Sequence, residues 1–140
     1  MITANGYSKE NVPPEGIVIT FGQEMMKEQG GVKHFLENFL ETMANHQDGE
    51  GDYWMHKCKN LPKVEVDHIY ISCCGRLYGR VFCGGYVKPD KDNPQIGYTA
   101  DGREQEIKWN YIRLFGPLER CPFKRKLSGF QGFRYAEKLW

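Results

Sequence analysis

The sequence has no apolar run that approaches the roughly 20 residues needed to cross a bilayer. Its first six residues, Met1 to Gly6, lack the basic start and the apolar stretch of a secretory signal. It also contains no internal repeat and no low-complexity tract. These absences argue against a membrane protein, a secreted protein and a repeat array. We therefore expect a cytoplasmic protein without a membrane partner.

Zinc-type spacings are absent as well. Five cysteines are present, an odd number, with no C-x2-C pair, and no H-x3-H pair accompanies them. His56 and Cys58 would share one face of a strand and could both bind a metal. Structural zinc sites, however, usually contain a C-x2-C or H-x3-H pair, and this sequence has neither. We therefore predict free thiols, no metal site and no other cofactor.

Cys74 is a candidate nucleophile. Cys74 precedes Gly75-Arg76, whose cation could lower the thiol pKa, and either His56 or His68 could act as its base. The alternative, a turn cysteine without a chemical role, is preferred. No catalytic residue is assigned.

The composition fits one folded domain. The chain has 140 residues, of which 40% are hydrophobic and 14% aromatic, enough to build a core. Residues 1–15 are polar and contain Pro13-Pro14, which predicts a flexible N-terminal arm before a single domain over residues 16–140.

Positive charge is gathered near the end of the chain. The net charge is +1, yet residues 108–140 hold eight Lys/Arg and two Asp/Glu, a net charge of +6, and they are rich in aromatics. Basic groups beside aromatic faces suit a phosphate-bearing ligand with a stackable base. The alternative is a solvated basic face above an aromatic core.

The order of elements predicts an α+β fold. Residues 17–21 are β-branched and predict a strand, and apolar steps of three and four predict a helix over 32–45 that buries Phe35, Leu36, Phe39 and Leu40. Further strands are predicted at 53–58, in a hairpin of 68–73 with 77–83, and at 106–114, closed by Gly116-Pro117. This order indicates a small curved antiparallel or mixed β-barrel with one main helix near the N-terminus.

Several segments resemble a known family. Leu61-Pro62-Lys63, then Val66 to Ile71, then Gly75 to Val81 are similar to the middle of an ASCH-type, PUA-like domain, and the order of elements over residues 16–87 fits it too. The resemblance implies a PUA-like barrel that binds RNA or a modified base in a pocket at the barrel's edge. Some ASCH members are amidohydrolases. Here residues 53–57 replace the family's lysine segment without a matching carboxylate, which favours binding over hydrolysis.

Six residues are predicted to bind a ligand: Trp54, Lys57, Arg76, Trp109, Gln131 and Arg134. Trp54 would stack on a base, Trp109 would offer a second aromatic surface, Gln131 would contact the base edge, and the cations would hold phosphate. The alternative is that both tryptophans are core residues and that Arg134 is simply solvated.

The resulting prediction is a nucleic-acid or nucleotide-binding module without catalysis. Its partner would be RNA, another single-stranded nucleic acid or a modified nucleoside. Two other functions stay open: a small amidohydrolase acting on a modified nucleoside, and an accessory protein whose aromatics form a protein interface.

Overall fold

The structure, a computed structural model, describes the backbone of residues 2–3 and all of residues 14–98 and 102–140. Two helices and nine strands lie in these ranges. In chain order they are β1 (Ile2–Thr3), β2 (Gly16–Phe21), α1 (Gln23–Glu28), α2 (Val32–Ala44), β3 (Trp54–Cys58), β4 (His68–Cys73), β5 (Arg76–Val87), β6 (Ile96–Tyr98), β7 (Glu104–Glu106), β8 (Asn110–Arg120) and β9 (Phe133–Ala136).

A curled half-barrel sheet dominates the fold. Its strand order is β1-β9-β2-β4-β5-β8-β3, and β6 and β7 form a separate two-stranded hairpin. Strands β2 and β4 are parallel, and the other neighbours are antiparallel. The predicted curved sheet and the main helix near the N-terminus are therefore present. Neither helix is long and apolar enough to cross a membrane in the part of the chain described.

Helix α2 covers one face of the sheet. Phe21 of β2 lies edge-on between Phe35 and Phe39, with ring centroids 5.1 Å and 5.0 Å away. The predicted helix and the burial of these two phenylalanines are confirmed. Leu36 is only half-buried, and the burial of Leu40 was wrongly predicted, since its side chain is exposed. Leu40 lies on the flank of the apolar stripe because it is turned about 100° from Phe39.

The short helix α1 was not predicted. It spans six residues, and its only buried residue is Met26. Such a short helix shows too little periodicity in the sequence to be recognised.

The opposite face of the sheet is covered by the C-terminal segment. Val18, Tyr70, Leu77 and Ala136 form its buried centre, against which Leu127, Phe130, Leu139 and Trp140 pack. The Tyr70 hydroxyl donates to Glu15 (2.7 Å) and accepts from the Leu139 N–H (3.1 Å). These bonds attach both ends of the described domain to β4.

The predicted N-terminal arm can be followed only in part. Of residues 1–15, residue 1 and residues 4–13 lie outside the described ranges. Ile2–Thr3 pairs with β9, and the Glu15 side chain binds both His68 and Tyr70.

The predicted β4–β5 hairpin is confirmed as an antiparallel pair. Cys74 and Gly75 form its turn with φ of 56° and 79°, the left-handed values that two-residue hairpin turns need. The prediction that Gly116-Pro117 ends a strand at 106–114 was wrong, because β8 continues to Arg120. Pro117 lies where the β5–β8 register shifts, and there the ladder does not need its missing N–H.

Candidate nucleic-acid interface

Lys57 and Trp109 come together at the β3–β8 edge of the sheet. The Lys57 ammonium nitrogen lies 3.8 Å from the centroid of the Trp109 ring, a cation–π contact. The Trp109 side chain nevertheless keeps 56% of its surface exposed. Two of the six predicted residues are thus adjacent, and an aromatic surface remains open to a ligand.

A cleft of about 970 Å³ is lined in part by the start of β8, the strand that follows Trp109. Its wall combines the loop after β3, the end of β5, the segment that follows it and the start of β8. The lining residues are Asn60, Leu61, Pro62, Lys63, Tyr86, Val87, Lys88, Pro89, Asp90, Gln95, Asn110 and Arg113. Neither Lys57 nor Trp109 lines the cleft, but Trp109 immediately precedes the lining residue Asn110 in the sequence.

A β-bulge in β5 shapes this wall. The β5–β8 register shifts between Cys83 and Tyr86, at Gly84-Gly85. Gly85 has φ of +94°, and a Cβ on Gly84 would lie only 2.4 Å from the Phe115 ring, so both positions favour glycine. Beyond the bulge, the Tyr86 hydroxyl donates to the carbonyl of Val64 (2.7 Å), which holds the loop after β3 in place.

The charge of the cleft is positive. Lys63, Lys88 and Arg113 line it, and Asp90 is the single acidic residue among the lining residues. Asp90 Oδ1 already accepts the N–H groups of Asp92 (3.0 Å) and Asn93 (3.3 Å).

The three cations make no ion pair with a carboxylate among the described residues. Arg113 makes one long bond, from Nη1 to the carbonyl of Gly84 (3.5 Å), and its buried Nε has no acceptor. Because most guanidinium N–H groups lack a protein acceptor, the cleft can accept an anion.

A second basic region lies at the turn end of β5. The backbones of Arg76 and Lys126 form an isolated antiparallel β-bridge. The Leu77 N–H donates to the carbonyl of Arg125 (2.9 Å), and the Leu127 N–H donates to the carbonyl of Gly75 (2.9 Å). These bonds bring Arg76 beside a run of three cations. We call Arg76, Lys124, Arg125 and Lys126 the turn patch; in the described chain none of them has an ion-pair partner.

The other predicted residues lie apart from the cleft. Trp54 is half-buried and packs edge-on against the core residues Phe35 (5.2 Å) and Phe39 (5.4 Å). Arg134 lies in β9, its guanidinium 4.4 Å from the Phe130 ring centroid, and Gln131 is exposed in the loop before it. Four strands separate β9 from β3 in the sheet.

The six predicted residues therefore do not line one concave site. Arg134 pairs with Val18, whose side chain belongs to the core cluster on the opposite face from Trp54. The structure divides the six residues among the Lys57–Trp109 pair, the turn patch with Arg76, the Gln131–Arg134 edge, and Trp54 beneath α2.

The basic residue Arg80 is not free to hold phosphate. Its guanidinium binds Glu119 (2.6 Å and 2.7 Å) and the main-chain oxygen of Trp140. Hydrogen bonds and nearby charges from Glu119 and Tyr70 raise the Arg80 pKa, although burial opposes that change. Its role is to fix the C-terminal segment to the sheet.

The candidate dyad of His68 and Cys74 is not assembled. His68 begins β4 and Cys74 follows its last residue, so the strand's length separates them. Burial lowers the pKa of His56 to about 4 and raises the pKa of Cys58 to about 11, which keeps both neutral at pH 7. No group of three or more His, Cys, Asp or Glu residues is placed to hold a metal ion within the described ranges.

Comparisons with protein-family models, with curated proteins and with solved structures find no match to this chain. The resemblance to ASCH and PUA-like domains stays a prediction.

The sequence did not identify most residues of the interface. Lys63, Lys88 and Arg113 stand singly in three distant segments, so no spacing connects them. The run Lys124-Arg125-Lys126 is visible in the sequence, but its contact with Arg76 follows only from the fold.

Proposed function

We propose that this protein binds single-stranded nucleic acid, with RNA as the preferred ligand, and does so without catalysis. One observation supports the proposal: three cations without an ion-pair partner among the described residues line a cleft, and Trp109, next to the lining residue Asn110 in sequence, is 56% exposed. An anionic ligand that also carries a flat aromatic ring matches both features. A nucleotide unit is such a ligand.

The roles divide by chemistry. Trp109 would stack on a base, a contact worth roughly 1–3 kcal/mol, and Lys57 would move from the ring towards the phosphate. Lys63, Lys88 and Arg113 would neutralise phosphate charge in the cleft. The side-chain amides of Asn60 and Gln95 offer both donors and acceptors for a base edge.

A polymer fits better than a free nucleotide. The turn patch and the cleft lie at opposite ends of β5, whose 12 residues extend over roughly 35 Å at the usual rise per residue. Only an extended polyanion can neutralise both basic regions at once. A PUA-like identity of the curled sheet, with a base bound at its edge, is part of this proposal.

Hydrolysis of a modified nucleoside is less well supported. An amidohydrolase needs a carboxylate or a thiol beside a lysine in the cleft. Asp90 already accepts two backbone N–H groups, and the lining residues include no cysteine. The cleft therefore offers cations for binding and no evident nucleophile.

A protein contact is a second candidate with its own observation. Ile96 and Tyr98 on the β6–β7 hairpin are 58% and 71% exposed, more than is usual for such residues. If the protein does not bind nucleic acid, this hairpin is the place to look for a partner.

The test is fluorescence anisotropy with a labelled single-stranded RNA, the same sequence as single-stranded DNA, a DNA duplex and a nucleoside monophosphate. We expect RNA binding that weakens steeply between about 50 mM and about 200 mM salt. The double variant Lys63→Gln/Lys88→Gln should lower affinity and reduce the salt slope by about 0.7 for each lost phosphate contact.

The matched control is Lys33→Gln, whose lysine is 91% exposed on α2 and belongs to neither basic region. It should bind like the unmodified protein. Absence of binding to every nucleic acid at low salt would refute the proposed function, and hydrolysis of an acylated nucleoside would favour the enzyme instead.

A further inference from the structure

Three sulfur atoms meet where α1 packs against the end of β4. The Cys73 sulfur lies 3.4 Å from the Cys74 sulfur and 3.9 Å from the Met26 sulfur. Cys73 and Met26 are buried, whereas Cys74 is exposed at the hairpin turn. The cluster therefore runs from the surface into the core, with Cys73 in the middle.

These distances suit a metal ion bound by sulfur. Metal–sulfur bonds of about 2.3 Å, as in zinc–thiolate sites, place two ligands of a trigonal or tetrahedral ion roughly 4 Å apart. The Cys73–Met26 distance of 3.9 Å is close to that value, and the Cys73–Cys74 distance of 3.4 Å is shorter. Small side-chain rotations would bring the thiols and the thioether around one ion.

The ligand types select the metal. Thiolate and thioether sulfurs are soft ligands, and soft ligands favour Cu(I). A structural zinc site usually has four ligands drawn from cysteine, histidine and carboxylate side chains. Such a set does not occur around these sulfurs in the part of the chain that the structure describes.

We propose that Cys73, Cys74 and Met26 form a binding site for a soft monovalent cation of the Cu(I) type. Cys74 binds the ion at the surface, Cys73 is the second ligand, and the Met26 thioether is the third. Binding releases the two thiol protons to solvent. No electron is transferred, because the ion enters and stays as Cu(I).

The surroundings balance the charge of such a complex. Two thiolates and one Cu(I) ion carry a net charge of −1. Burial raises the pKa of the Cys73 thiol to about 12 and opposes its deprotonation, and the positive charge of Arg76 at the turn acts in the other direction. The backbone of Lys126 forms an isolated β-bridge with Arg76. The cations of the turn patch thus offset the negative charge, and α1 keeps the inner side of the site dry.

The site is separate from the cleft, since none of its three sulfurs lines it. It also differs from the zinc spacings sought in the sequence. Adjacent cysteines provide no C-x2-C pair, and a methionine 47 residues away becomes a neighbour only through packing.

The test is anaerobic competition between the fully reduced protein and a chromophoric Cu(I) chelator. We expect one Cu(I) per chain. Cys74→Ser should weaken binding by more than the roughly 100-fold that loss of an outer-shell partner can cost. Met26→Leu conserves core volume, and losing its thioether ligand should weaken binding by about tenfold.

Cys121→Ser is the matched control, because this half-buried thiol packs against the other face of the sheet. It should leave Cu(I) affinity unchanged, and circular dichroism melts should show that all three variants fold. Equal loss of binding in Cys121→Ser, full binding in Cys74→Ser, or no effect of Met26→Leu would each overturn the three-sulfur assignment. Equal affinity for Zn(II) would overturn the Cu(I) selectivity.

Discussion

The ammonium group of Lys57 lies over the ring of Trp109, 3.8 Å from its centroid, at the β3–β8 edge of the sheet. A base that stacks on this ring gains contact area while the lysine stays within reach of its phosphate. We therefore expect Trp109→Ala to weaken RNA binding by roughly 1–3 kcal/mol without changing the salt slope. Anisotropy titrations at several salt concentrations measure both quantities.

Tyr53→Ala provides the control for an exposed aromatic on the same edge, since Tyr53 is 45% exposed and contacts Phe115. It should not change RNA affinity. If Trp109→Ala binds RNA as well as the unmodified protein, the stacking role of Trp109 is wrong.

The turn patch should contribute charge without base contacts. The double variant Lys124→Gln/Lys126→Gln removes two cations that have no ion-pair partner among the described residues, so RNA affinity should fall equally for all sequences. The slope of log affinity against log salt should decrease by about 0.7 per lost contact. Mononucleotide binding should not change, and an unaltered salt slope would show that RNA does not reach this end of β5.

Trp54 should affect stability and not binding. Its ring packs edge-on against Phe35 and Phe39, so Trp54→Ala leaves a cavity beneath α2. We expect the free energy of unfolding in urea to fall by about 3 kcal/mol. Trp109→Ala, which removes a half-exposed ring, should change it by less than about 1 kcal/mol. Equal losses in the two variants would contradict the core position of Trp54.

His56 should make the protein sensitive to mild acid. Burial beside Phe21 lowers the pKa of the folded ring to about 4, whereas the unfolded chain binds this proton near pH 6.5. The unfolded state therefore takes up the proton first. Stability that is fully present above pH 6.5 is lost as the pH falls towards 4.

The expected loss from His56 alone is about 2 kcal/mol between pH 7.5 and pH 5. The free energy of unfolding in urea should be measured at both pH values. Its decrease from pH 7.5 to pH 5 should be about 2 kcal/mol smaller in His56→Leu than in the unmodified protein. His34→Gln, on an exposed residue of α2, should keep the full difference. The idea fails if His56→Leu and the unmodified protein lose equal stability.

The sequence predicts elements whose signal is local. Helix α2 follows from apolar steps of three and four, and the β4–β5 hairpin from two β-rich runs around a short glycine turn. The continuation of β8 past Pro117 could not be predicted, because only the register shift between β5 and β8 makes a proline acceptable at this position.

The candidate site was less predictable because it depends on tertiary contacts. Trp54 and Trp109 look alike in the sequence, each in a run of mixed polar and aromatic residues. Packing against α2 half-buries Trp54, and the open edge of β3 and β8 leaves Trp109 accessible. Residue type suggests what each side chain could bind, but only the fold shows which tryptophan is more exposed.

The position of β9 has a consequence for synthesis of the protein. Strand β2 needs β9 as one neighbour, and Ile19 pairs with Phe133 while Gly16 pairs with Ala136. At roughly 5–20 residues per second, a ribosome spends about 5–20 s on the chain between the two strands. During that interval one edge of β2 has no partner from β9 and is exposed to pairing with other nascent chains, so the early chain is the stage at which chaperones would matter most.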